Sequence, residues 1–279
     1  MFELGWFRRD GATYHPLPLA QSMWSTRQLH GVAVSGLLAR TLEEAVHGLG
    51  RAEMVPARYH VDLFRPARME PTTATATVVR EGRRLILVDA VVEQGETRVA
   101  RATATFLLPT ENAPGEVWSA ADRPVPPPLE VAPVTDEPHV PFFTSEKPWS
   151  DNFGEHHNSG RHQTWHVAVP VVLDEPVTPF QAAASIADNT SMVTNWGSEG
   201  IQYINTDIDL VLARRPAGIA LGLRALDHLA TDGIAVGTAE VYDRQGPLGT
   251  ATVTCLANAR RSLDFTEFPY GRRVDPTAA

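Results

Sequence analysis

Residues 29–50 read LHGVAVSGLLARTLEEAVHGLG, and the fold follows from how this stretch is read. Val34, Leu37, Leu38, Leu42, Ala45, Val46 and Leu49 recur at helical spacing, so it predicts an amphipathic helix opened by His30-Gly31 and ended at Gly48 or Gly50. Four runs rich in β-branched residues follow at 58–66, 72–82, 84–95 and 97–109, each punctuated by Gly or Pro, which predicts an antiparallel meander. The same order then returns. Residues 178–197, TPFQAAASIADNTSMVTNWG, begin with Thr178 as a cap, Pro179 at the first helical position and Gln181 three residues after the cap. Strand-like runs succeed it at 201–216, 219–233, 234–246 and 248–260, and a further strand is expected within 160–175. RATATF at 101–106 recurs as TATVTC at 250–255, FRP at 64–66 as RRP at 214–216, and EQG before the last strand as RQG. Weak singly, these matches share an order, which is what an internal repeat shows.

Between Pro109 and Pro148 lie 10 of the 22 prolines with no sustained periodicity, which reads as an extended linker. The expected division is residues 1–110, a Pro-rich linker at 111–144, a second unit at 145–265 and a tail at 266–279. Each unit sets one long helix on an antiparallel sheet, an α+β arrangement, and the two sheets are expected to pair edge to edge. The net charge of -9 repels phosphate backbones and anionic headgroups, so nucleic acid is not an expected partner. One cysteine, Cys255, excludes an intramolecular disulfide and suits a reducing compartment. The start, MFELGWFRRDG, lacks the charged-then-apolar pattern of an export signal, and no apolar run approaches a membrane span. The expectation is a cytoplasmic protein without membrane insertion.

HGVAVSGLLAR (30–40), VDLFRPA (61–67), VVREGRRL (78–85), ARATATFLLP (100–109), ADNTSMVTNWG (187–197), INTDIDLVLARRPAG (204–218) and GPLGTATVTCLANAR (246–260) together resemble the acyl-CoA thioesterase II type of double hot-dog protein, within the thioesterase-like superfamily. The resemblance spans roughly residues 20–110 and 145–262. It implies two tandem hot-dog modules, each a long helix wrapped by an antiparallel β-sheet, and hydrolysis of acyl-CoA to free acid and coenzyme A in fatty acid metabolism. Neither metal nor organic cofactor is implied, and a homo-oligomer is left open. In that family an Asp on the second helix, a Thr or Ser on the following strand and a Gln on the last strand position and activate the attacking water. By position these fall on Asp188, Thr206 and Thr254, so the third place carries a shorter hydroxyl. A non-catalytic acyl-CoA binder is the alternative this substitution raises.

Read on their own, the same residues keep alternatives open. Asp188 follows the buried stripe begun by Phe180 and needs partners there, either as a base or as a cap for the next turn. Thr206 shares strand parity with Ile204, Ile208, Leu210 and Leu212 and is therefore expected to face the helix and the acyl site; Asn205, Asp207 and Asp209 take the other face. Thr254 alternates with Thr250 and Thr252, where packing alone accounts for threonine. His30, Gly31 and Val32 form a helix start whose backbone N–H groups and dipole suit a thioester carbonyl, and Gly31 equally suits close helix packing. His156, His157, His162 and His166 invite a metal test but lack a completing carboxylate or cysteine. Arg80, Arg83 and Arg84 suit either coenzyme A phosphates or a solvated turn. Cys255 reads as a small core residue, and Trp196 as closing a helix or lining an acyl tunnel. An enoyl hydratase would want Asp-x-Asn-Pro-x-His, which DNFGEH at 151–156 does not supply.

Overall fold

The computed structural model describes residues 3–258 and 262–264, so the expected tail at 266–279 lies outside the described residues. The first half contains β1 (Phe7–Asp10), β2 (Thr13–Pro16), α1 (Gly31–Gly48), β3 (Val55–Leu63), β4 (Thr72–Glu81), β5 (Leu85–Gln94) and β6 (Thr97–Leu107). The second contains β7 (Phe142–Thr144), β8 (Gln163–Val167), α2 (Pro179–Ala187), α3 (Thr190–Asn195), β9 (Trp196–Gly197), β10 (Gly200–Ile201), β11 (Tyr203–Asn205), β12 (Asp207–Leu212), β13 (Ala220–Thr231), β14 (Ile234–Asp243) and β15 (Gly246–Ala257). Among the described residues, 13 strands form one sheet in the order β1-β2-β4-β5-β6-β3-β12-β15-β14-β13-β8-β7, with β11 also pairing with β15. The halves join through antiparallel β3 and β12, where Asp207 faces Asp62 and Leu210 faces Tyr59.

Only the first half carries one long helix. The expected second long helix is two short ones, α2 and α3, because the pair Asp188-Asn189 interrupts it. Asp and Asn are weak helix formers. The chain tightens there: Asp188 N–H reaches back only to Ser185 O (3.4 Å) and Asn189 N–H to Ile186 O (2.9 Å). The start of α2 follows the sequence, with Thr178 Oγ1 accepting from Gln181 N–H at 3.1 Å. The Gln181 amide does not close the box; it donates to Glu43 Oε2 (3.0 Å), to which Thr178 Oγ1 also donates (2.7 Å).

α1 and α2 pack antiparallel through small residues. Ser35 Oγ donates to Ala184 O at 2.6 Å, and Tyr59 Oη donates to Ser35 O at 2.8 Å. A Cβ on Gly36 would strike Ser185 Oγ, so the helices approach only because that atom is missing. Leu37, Leu38, Leu42, Val61, Ile86, Phe106, Phe180, Ile208, Leu223 and Val253 belong to one hydrophobic cluster shared by both halves. The main core is therefore common to the two halves.

Residues 108–141 contain neither helix nor strand. They run over the outer face of the second half, where Ala132 packs with Trp165 and Tyr242. Arg224 holds Asp122 (3.0 Å) and Glu240 (2.9 Å), and Arg244 Nη1 donates to Pro127 O (3.0 Å). The hairpin β1–β2, unassigned by the sequence reading, turns at Gly11 (φ 58°) and docks Phe7 against Val172. Arg40, buried on α1, ties it down by donating to Tyr14 Oη (2.9 Å) and Glu175 Oε2 (2.7 Å). Among the described residues no helix is long and apolar enough to cross a membrane.

Candidate active site

The interruption between α2 and α3 presents Asp188 to the start of α1. The residue is 8% exposed. Asn205 Nδ2 donates to its Oδ1 at 3.0 Å, and His30 Nδ1 lies 3.6 Å from its Oδ2. His30 caps α1: its Nδ1 accepts from Val32 N–H at 3.2 Å, and the same N–H also supports the Asp188 carboxylate. Gly31 is required by this approach, since a Cβ there would sit 2.5 Å from Asp188 Oδ2, 2.6 Å from Cγ and closer still to Oδ1. Burial raises the Asp188 pKa above the ordinary carboxylate value, opposed by His30, the Asn205 amide and Val32 N–H. A buried carboxyl of this kind holds its proton more strongly than a solvated one and, once ionised, is a stronger base.

Four of the six predicted residues thus meet: His30, Gly31, Val32 and Asp188. Thr206 stands beside them, and Thr254 contributes through its main chain. The expected unbroken alternation fails at Thr206. β11 pairs with β15 as Asn205 to Cys255, whereas β12 pairs as Asp209 to Thr252, a shift of one residue. The extra residue is a bulge, and it reverses which side chains face inward. Asn205 therefore shares the inner face with buried Cys255, while Ile204 is exposed. Asp207 holds the bulge by accepting from Thr254 N–H at 2.8 Å. Thr206 Oγ1 lies 3.1 Å from Thr254 O and from Asp207 Oδ2, and Thr206 lines a cavity next to Asp188. Val253 and Cys255 face the core, so Thr254 turns its side chain to the opposite face. Asn205, which the sequence reading set on the outer face, is the site residue it missed. The run Asn205-Thr206-Asp207, three short polar residues inside a strand, was the available sign of irregular backbone.

Two cavities meet at this point, and both have His30, Asn189, Met23 and Met192 in their walls. One, of about 420 Å³, extends past Asp188, Asn205 and Thr206 toward Phe64 and Arg65, both exposed. The other, of about 370 Å³, runs under residues 138–141 and is largely apolar, walled by Leu19, Val32, Val140, Phe153, Val167 and Ile186 among others.

The remaining candidates are placed elsewhere. His156 bonds Ser145 and Ser150, and His162 Nε2 lies 2.8 Å from His156 O and stacks on Trp196. Among the described residues no three His, Cys, Asp or Glu side chains are grouped to hold a metal. Arg80, Arg83 and Arg84 are exposed on the β4–β5 hairpin and line neither cavity. The Cys255 thiol is pushed up by burial and accepts from Asn195 Nδ2 at 3.2 Å. Trp196 ends α3 and packs with Phe143 and Phe153, lining neither cavity itself.

The sequence profile of the acyl-CoA thioesterase N-terminal domain matches residues 20–107, and that of the acyl-CoA thioesterase C-terminal domain matches residues 115–257. No curated protein matches the chain. Among solved structures it is similar to a TesB protein of Mycobacterium avium subspecies paratuberculosis, at 15% identity and TM-score 0.61, covering 90% of this chain and 95% of that one. A conserved protein of unknown function with a hot-dog fold from Alicyclobacillus acidocaldarius gives 19% identity and TM-score 0.65, over 91% and 96%. An acyl-CoA thioesterase II, TesB2, from Mycobacterium marinum gives 16% and 0.56, over 94% and 96%. These likenesses establish an α+β hot-dog fold.

Proposed function

The chain belongs to the acyl-CoA thioesterase family, and on that premise we propose that it hydrolyses an acyl-CoA, or a related acyl thioester, to the free acid and coenzyme A. The observation that carries the reading is Asp188, a buried carboxylate held by Asn205 and set against a helix N-terminus where two cavities meet. The acyl chain lies in the apolar chamber and the pantetheine arm in the other cavity, with Arg65 at its exposed end. The thioester carbonyl rests at Gly31, whose N–H is among those an α-helix leaves without an internal partner. That N–H and the helix dipole stabilise the oxyanion. Asp188 takes a proton from a water as the water oxygen attacks the thioester carbon. Collapse of the adduct breaks the C–S bond, and the proton passes to the departing thiolate. Thr206 orients the water through the acceptor capacity its oxygen retains, and Thr254 fixes Thr206. The same reading puts the reaction in cytoplasmic fatty acid metabolism and keeps residues 1–110 and 145–265 as the two repeated units.

The test is release of free coenzyme A from short, medium and long acyl-CoAs by wild type and by Asp188→Ala. Loss of a general base costs roughly 10²–10⁴-fold. The rate should fall as pH drops through the raised Asp188 pKa, because only the ionised carboxylate accepts the proton, and this inflection should be missing in the variant. Equal turnover by both proteins would sink the proposal. Thr254, standing where the family has Gln, favours a second reading as an acyl-CoA binder; saturable binding without turnover would select it.

A further inference from the structure

The apolar chamber contains polar atoms that the proposed chemistry leaves unused. Trp6 is 9% exposed and its indole Nε1 has no hydrogen-bond partner; His166 is 5% exposed and its Nε2 has none. Both side chains line the chamber, on its walls with Leu19, Val140, Phe153 and Ile186. His166 is set on β8 opposite Leu221 of β13, on the core side of the sheet. Burial, helped by His139, pushes the His166 pKa down to about 3, so the ring is neutral and one nitrogen is an acceptor. An indole N–H can only donate. Leaving such groups dry and unpaired costs stability, and proteins rarely bury them without a partner. A plain hydrocarbon chain filling this space would leave both unpaired.

We propose that the chamber selects an acyl group carrying an oxygen function, a hydroxyl or a carbonyl, which accepts from Trp6 Nε1–H or pairs with His166 Nε2. This rests on the thioesterase reading for the placement of the thioester at His30 and Val32, which line the same chamber. A hydroxyl satisfies either group, since it both donates and accepts; a carbonyl satisfies the indole. A chamber of about 370 Å³ has room for a medium acyl chain.

The experiment compares kcat/KM for octanoyl-CoA with its 3-hydroxy, 3-oxo and terminal-hydroxy analogues, in wild type, Trp6→Phe and His166→Phe. The expected result is that at least one oxygenated substrate exceeds octanoyl-CoA by about tenfold in wild type, as two modest hydrogen bonds give. That ratio should shrink toward one in whichever variant removes the partner. Trp6→Phe keeps the ring and so decides the matter where His166→Phe does not fold. A wild-type preference for octanoyl-CoA, or a ratio untouched by both variants, overturns the proposal while hydrolysis stands. Absence of turnover with every substrate defeats the thioesterase reading instead. Calorimetric binding of the corresponding free acids then tests the chamber directly. Tighter binding of an oxygenated acid than of octanoic acid, lost in Trp6→Phe, supports the selection; equal binding overturns it and leaves ordered water as the partner of both groups.

Discussion

Gly31→Ala tests the site by adding a single methyl group. An ideal Cβ at Gly31 lies 2.5 Å from Asp188 Oδ2, against an ordinary contact of 3.4 Å or more, so the carboxylate must retreat by about 1 Å (3.4 − 2.5). The Asn205 bond, now 3.0 Å, does not survive that displacement without a matching shift of the strand bulge. Two costs follow. Overpacking costs about 1–3 kcal/mol of stability. A misplacement of about 1 Å in a reacting group costs roughly 100-fold in rate. The assay pairs kcat/KM for coenzyme A release with urea unfolding, for wild type, Gly31→Ala, Asp188→Ala and the double variant. Because the methyl group acts by striking Asp188, removing that carboxylate should remove most of the damage, leaving a coupling of at least about 1 kcal/mol between the substitutions. Strict additivity, or a Gly31→Ala protein within threefold of wild type, would refute the reasoning.

Asn205→Ala removes a hydrogen bond to a buried carboxylate and should lower kcat/KM by roughly 10–100-fold, a charge-assisted bond being worth about 1.5–3 kcal/mol; Asn205→Asp should instead move the activity profile to higher pH, since a second carboxylate raises the Asp188 pKa, and an unmoved profile would deny Asn205 its contact. His166, neutral in the fold with a pKa of about 3 against 6.5 unfolded, binds its proton more readily in the unfolded chain, so stability should fall as pH drops below about 6.5. Urea unfolding at pH 7 and pH 4 should show a loss of about 3 kcal/mol from this group that His166→Phe lacks, and an equal loss in the variant would show that acid acts elsewhere. His156 and His162, also lowered by burial, add to the slope in both proteins.

The features visible in sequence were those with local causes. The apolar stripe of residues 34–49, the cap at Thr178 and the β-branched runs each specify their own backbone, and the structure has a helix or strand at each. What escaped depends on competition or on assembly. The second helix breaks at Asp188-Asn189, where the backbone N–H groups bond three residues back instead of four, although apolar spacing continues past them. The bulge at Thr206 depends on Asp207 reaching Thr254 on a neighbouring strand, a contact 47 residues apart. Asn205 could be placed beside Asp188 only once that shift was known. The hairpin at residues 7–16 had a sign, Asp10-Gly11 between strand-like flanks, that went unread. The chamber is drawn from Trp6, Val140, His166 and Ile186, four segments with no common pattern along the chain.

Each helix of the antiparallel pair receives at its N-terminus a carboxylate from the other: Asp188 reaches the start of α1, and Glu43 reaches the start of α2 through Thr178 and Gln181. The two helix starts in this way form an internal control. Both ends join carboxylate to helix start, yet Glu43 is absent from the walls of both cavities beside Asp188. Whatever removing Glu43 costs is the mechanical worth of clamping two helices together. Whatever removing Asp188 costs beyond that is what its place beside the cavities adds to the clamp.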